Sequence, residues 1–257
     1  MTVQTNQGQV LQNTATMAYR NLLKTGHNPD QLMDVVIQPV LFMLMFGYLF
    51  GGAIAGGVKA YLPTIVPGIL IQTMLSAASG SGAQIREDLD AGVFDRFKSL
   101  PIARIAPLAG QLFADSFRLL IAAIASLTTG YLMGWRPNVG FGWVVVIGLL
   151  AIFMGWVLSW VFALLGLLAK SAAAVQSVSL MTMLVLSFMS NAFVPMHALT
   201  KPLQFIARLN PVTYVITAIR QILATGSWTH EALFVLGFGL VIVAVFAPLT
   251  VWIYDRN

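Results

Sequence analysis

No cysteine occurs among the 257 residues, which excludes disulfides and thiolate metal ligands and leaves the redox compartment open. Charge is scarce as well. Asp, Glu, Lys and Arg make up 9% of the chain, against about 25% in an ordinary soluble domain, while apolar residues reach 58%. A chain so short of charge belongs in lipid. The three histidines, His27, His197 and His230, lie far apart in sequence and no H-E-x-x-H run occurs, so no metal site is expected. A Walker A loop is missing too: the five lysines follow Leu23, Val58, Phe97, Ala169 and Thr200, never the glycine of G-x-x-x-x-G-K-[ST]. The net charge of +5 does not point to nucleic acid, because the basic residues are scattered between apolar blocks and form no stripe. Basic residues so placed suit anchoring at a membrane surface.

At about 20 apolar residues per span, the length accommodates five to seven crossings. Residues 1–9 are polar, which predicts no cleavable signal peptide. An interfacial helix over 8–25 carries Val10, Leu11, Thr14, Met17, Ala18 and Leu22 at helical spacing beside Arg20 and Lys24. Apolar blocks then predict spans at 35–58, 62–84, 105–133, 141–169, 171–193 and 232–254. Gly47 and Gly51 in the first block let two backbones approach, within the protomer or across it. The small-residue run Ser76 to Gly82 reads as tight packing; a protease serine there would need a base within reach. Only Lys170 separates spans four and five, which makes them an antiparallel hairpin. Trp135 lies in a turn with Arg136 and Pro137 and is expected at the interface.

One stretch breaks the apolar pattern. Ile85 to Pro101 holds Arg86, Glu87, Asp88, Asp90, Asp95, Arg96 and Lys98, seven of the chain's 23 charged side chains. On a helical wheel Leu89, Val93, Phe97 and Leu100 form one stripe and most of the charges lie opposite, the pattern of an amphipathic helix over 86–100 at a boundary. Phe94 sits at the edge of the polar face, where it suits either the headgroup layer or a pocket in a soluble partner.

A second departure is Asp115 with Arg118, spaced i, i+3 inside an apolar span. Isolated charges there would be costly, so the two are expected to pair near the bilayer edge. A role in substrate passage, including ion-coupled secondary transport through Asp115, is the alternative. Residues 195–224 are broken by Pro195, Pro202 and Pro211 into short amphipathic pieces beside Arg208 and Arg220, too short to span. With six spans, eight Lys and Arg fall on the side of the N-terminus and the charged stretch and five on the other. That bias makes both termini cytoplasmic.

In this order the pieces resemble the permease subunits of type-2 ABC exporters, the class that includes daunorubicin-resistance-type and polysaccharide-export permeases. The resemblance rests on the interfacial helix before span one, on E-D-L-D-A-G-V-F-D-R-F-K-S-L-P (Glu87 to Pro101), and on Phe193, Val194, Pro195, Asn210, Pro211 and Arg220 before the last span. It implies an all-helical, six-span membrane domain of the type V ABC exporter fold, working as a dimer with a second copy or a paralogue in a bacterial plasma membrane. It further implies a coupling helix carrying Glu87, Asp88, Asp90, Gly92, Phe94, Asp95 and Arg96, seated in a separate ATP-binding subunit, two copies per dimer. ATP and Mg would be bound by that subunit, leaving this chain without a cofactor or a catalytic residue. Phe193, Pro195, Asn210, Pro211 and Arg220 would form an external gate, over a path suited to drug-like or lipid-like cargo.

Overall fold

The computed structural model describes Thr16 and residues 29–93 and 106–256. It is all helical over those residues, with no strand. The elements are α1 (Pro29–Ala55), α2 (Val58–Asp90), α3 (Ala106–Leu132), α4 (Phe141–Leu168), α5 (Ala172–Phe188), a 3-10 turn (Met196–Ala198), α6 (Lys201–Leu209), α7 (Pro211–Thr225) and α8 (His230–Arg256). The predicted interfacial helix over 8–25 and Phe94, Asp95 and Arg96 lie outside the described residues.

Five helices, α1 to α4 and α8, are long and apolar enough to cross a membrane. α5 is an apolar helix of 17 residues, about 25 Å at 1.5 Å per residue and short of a 30 Å hydrocarbon core. Its predicted extent to residue 193 is cut at Phe188, because Met189 to Pro195 turn away to place polar groups against other helices. Ser171 caps α5 by accepting a hydrogen bond from the Ala174 amide at 3.2 Å. Asn210 does the same for α7 at the Val212 amide, 2.9 Å, and Gly226, at φ +62°, ends α7 in the left-handed conformation.

α2 is the axis of the bundle, packed against α1, α3, α4, α5 and α7. Most of its side chains from Tyr61 to Ile85 are buried. By contrast α8 touches α4 and α7 and leaves Leu233, Phe234, Leu240, Val241, Val245 and Trp252 on the surface, as a lipid-facing helix should. Lipid is as apolar as leucine, so helices associate here through close backbone approach. A Cβ on Gly82 would overlap the Phe162 carbonyl, and one on Gly166 would overlap that of Gly82. The small-residue run therefore forms the α2–α4 crossing. Ser79 donates to the Ser76 carbonyl at 2.7 Å, and the Ser81 hydroxyl, 3.4 Å from that of Ser159, meets an Asp115 carboxylate that Arg118 already pairs, which does not suit a protease serine. Gly47 and Gly51 serve packing within the chain: a Cβ on Gly47 would lie 2.9 Å from Met133 Cε, and one on Gly51 2.9 Å from Val58 Cα.

One local expectation changes. Residues Arg86 to Asp90 are the last turns of α2 and not the start of a separate helix: no Gly or Pro interrupts the chain until Gly92, whose φ of +65° makes the break. Trp135 packs into the core at the turn after α3, while Arg136 covers the Tyr131 ring at 3.7 Å.

Candidate functional site: a polar cavity, a buried ion pair and a carbonyl knot

A helix of 33 residues is about 50 Å long, so α2 reaches past a 30 Å core and carries distinct chemistry at its two ends. Toward the Asp90 end, Arg86 is tied down twice, by Asp90 at 2.5 Å and by the Ala169 carbonyl at 2.8 Å. The second bond fastens α2 to the turn between α4 and α5. Glu87, the next residue, is exposed and lines the mouth of a cavity of 260 Å³. The cavity lies between α1, α2, α3 and α5; Gln38, Ser76, Gln84, Gln176 and Arg118 supply its polar lining. Gln84 is fixed by Gln111, whose amide donates to its side-chain oxygen at 2.8 Å.

Arg118 closes the far end. Its guanidinium lies 3.1 Å from the Asp115 carboxylate and donates to the Ala77 carbonyl at 2.6 Å and the Ser81 hydroxyl at 3.3 Å. Both charged side chains are buried. The pair forms as expected but not near a helix end: Arg118 is about 18 Å from one end of α3 and about 21 Å from the other. Gly80 makes room for it, since a Cβ there would lie 3.1 Å from the guanidinium. Asp115 is thus committed to a neighbouring cation, an arrangement suited to holding α3 on α2 and not to carrying a free proton.

At the Val58 end of α2 a second arginine binds only neutral oxygens. Arg220 of α7 donates to the carbonyls of Thr64 on α2 at 2.6 Å, Asn191 at 2.9 Å and Ala192 at 3.3 Å. Burial lowers its pKa to about 10, which leaves it charged at neutral pH. Tyr61 donates to the Phe193 carbonyl, and the Phe193 ring stacks on Phe46 of α1 at 4.5 Å. Asn210 donates to Leu186 and Met189 carbonyls at 2.7 and 3.1 Å, and Asn191 donates to Thr217 at 3.0 Å. Segment 189–194 is therefore stitched to α1, α2, α5 and α7 at once. Phe193, Asn210, Pro211 and Arg220 are brought together, while Pro195 stands beside them, accepting from Ala198 to form the 3-10 turn.

The ABC-2 type transporter family model matches residues 12–224, most of the chain and all of the knot. The chain belongs to this family. It is 38% identical over 246 residues to a daunorubicin resistance ABC transporter permease of Streptomyces coeruleorubidus, covering 95% of this chain and 86% of the relative. A doxorubicin resistance permease of Mycobacterium tuberculosis is 30% identical over 164 residues, 61% of this chain and 57% of its own. A putative transport permease of Cyanophora paradoxa is 26% identical over 241 residues, 89% and 80% respectively. The chain is a multi-pass permease subunit of an ABC transporter, and the ATPase domain of such a transporter belongs to a different polypeptide or segment.

Several of the permease's site residues were not visible beforehand. Gln38, Gln84, Gln111 and Gln176 meet only because α1, α3 and α5 all pack on α2. A glutamine inside an apolar block is the one signal the chain offered. Tyr61 and Thr64 join the knot for a like reason, 132 and 156 residues from their partners.

Proposed function

We propose that this permease is half of a drug-exporting pair, each half crossing the bacterial plasma membrane six times with α5 as the fifth span and both termini cytoplasmic. A second copy or a paralogue completes the path, and two ATP-binding subunits, holding ATP and Mg, drive it. The stretch 86–100 docks in such a subunit with Phe94 as the aromatic anchor, and the Arg220 knot lies at the external gate. The cargo is an amphipathic drug of the anthracycline type, in keeping with what the Streptomyces and Mycobacterium relatives are named for.

One observation carries the coupling part of this reading. α2 runs unbroken from the Thr64 carbonyl held by Arg220 to the Arg86–Asp90 pair, so a push at its charged end reaches the knot through one helix. Co-expression with the ATP-binding subunit and reconstitution in proteoliposomes tests it: daunorubicin uptake should require ATP, and Phe94→Ala with Asp95→Lys should weaken co-purification and drug-stimulated ATPase together. Unchanged association in both variants would sink the docking assignment.

A further inference from the structure

The cavity between α1, α2, α3 and α5 has its own charge balance. Arg118 is the cation of its inner wall and Asp115 cancels it at 3.1 Å. Glu87 at the mouth has no cation paired with it among the described residues; its neighbour Arg86 is engaged by Asp90 and Ala169. Among the described residues the charges at the cavity therefore sum to one negative. Gln38, Gln84 and Gln176 add amide oxygens, Ser76 a hydroxyl, and Val35, Ala77, Gly80 and Ala83 leave the remaining wall narrow and apolar. Its 260 Å³ would hold about nine waters at 30 Å³ each and falls just below the roughly 300–1,000 Å³ of whole-ligand pockets. It suits the polar head of a larger molecule whose apolar body stays outside.

We infer that this cavity is the seat for the protonated amine of an amphipathic substrate, with Glu87 as its counter-ion and the glutamine oxygens as acceptors. An ammonium brings three donors and no acceptor, which matches a lining rich in oxygens around one carboxylate. Glu87 is exposed in this chain, at the start of the docking stretch and seven residues before its Phe94 anchor, and on its cavity side it meets the cation and draws it toward the amides as the ring follows. The path begins inside one protomer, on the helix that runs back to the Arg220 knot. This inference rests on the export reading above and adds a chemical class and an entry point to it.

The test uses the permease co-purified with its ATP-binding subunit, and two probes: daunorubicin, whose amino sugar is protonated at neutral pH, and its N-acetyl derivative, which is neutral. Binding without ATP, followed by drug fluorescence, should favour the cation in the wild type. Glu87→Gln should raise the half-saturating concentration of daunorubicin about fivefold, the scale of a partly solvated charge-assisted contact, and leave the N-acetyl probe unmoved. Glu87→Asp should restore most of the preference, and Ser76→Leu, which fills the cavity, should weaken both probes. Equal binding of the two probes by the wild type, or an equal effect of Glu87→Gln on both, would overturn the assignment. A loss of maximal uptake rate for both probes without a change in binding would place Glu87 in coupling instead. Failure of the wild type to take up either probe with ATP, while still preferring the cation, counts against the export reading alone.

Discussion

Replacing Asp115 by Asn keeps the shape of the side chain and removes its charge, leaving Arg118 buried beside two neutral oxygens. Breaking a buried pair from one side costs about 3–5 kcal/mol. Here the guanidinium keeps the Ala77 carbonyl at 2.6 Å and the Ser81 hydroxyl at 3.3 Å, so the lower end, about 3 kcal/mol, is expected. At about 2–4 °C per kcal/mol for a chain of this size, the midpoint should fall by about 10 °C. The double variant Asp115→Leu/Arg118→Met removes both charges and fills similar volume; it should return to within about 2 kcal/mol of the wild type, because neither desolvated charge remains. The assay is the surviving size-exclusion peak of the detergent-purified complex after stepped heating. Thiol-reactive dyes would not report on this chain, which has no cysteine. If Asp115→Asn melts with the wild type, or the double variant melts with the single, charge cancellation is not what Asp115 supplies. Loss of transport in Asp115→Asn at full stability would instead return the residue to the substrate path.

Gly82→Ala should prevent α2 and α4 from crossing, since its Cβ would overlap the Phe162 carbonyl, whereas Gly52→Ala in α1 meets nothing within 4 Å and should be neutral or slightly stabilising; expression level and melting of the two variants separate them. Arg220→Lys retains charge but has a shorter reach than the Nη2 nitrogen that meets the Thr64, Asn191 and Ala192 carbonyls, so the complex should melt about 5 °C lower and limited proteolysis should cut within 189–195. Asn210→Ala removes a helix cap and two carbonyl contacts; a loss of about 1–2 kcal/mol is expected, with Asn210→Asp recovering the cap but not the carbonyl contacts. Unchanged proteolysis in Arg220→Lys would mean the segment is held by the Phe46–Phe193 stack without the arginine.

Hydropathy made the long helices legible because a span must be apolar along about 20 residues whatever it packs against. Proline and glycine punctuation located the short helices after residue 195, and scarcity of charge singled out Asp115 and Arg118 as a pair. The start of the charged helix at residue 86 is not legible in the sequence, since helical periodicity alone does not say where one helix stops and the next begins. Only Gly92 marks the break, and a glycine announces a left-handed turn only when its φ is seen.

What the chain determined by itself is therefore one-dimensional: how many apolar segments exist, where they end, and which charges intrude on them. Tertiary structure alone decided that α2 is the axis, that Gly82 and Gly166 meet, that three glutamines line one cavity with Glu87, and that Arg220 closes on carbonyls 29 and 156 residues away. In a soluble protein an apolar stripe tells which face is inside. In a membrane both the lipid side and the packed side of a helix are apolar, so composition cannot say which neighbour a face will meet, and backbone fit does.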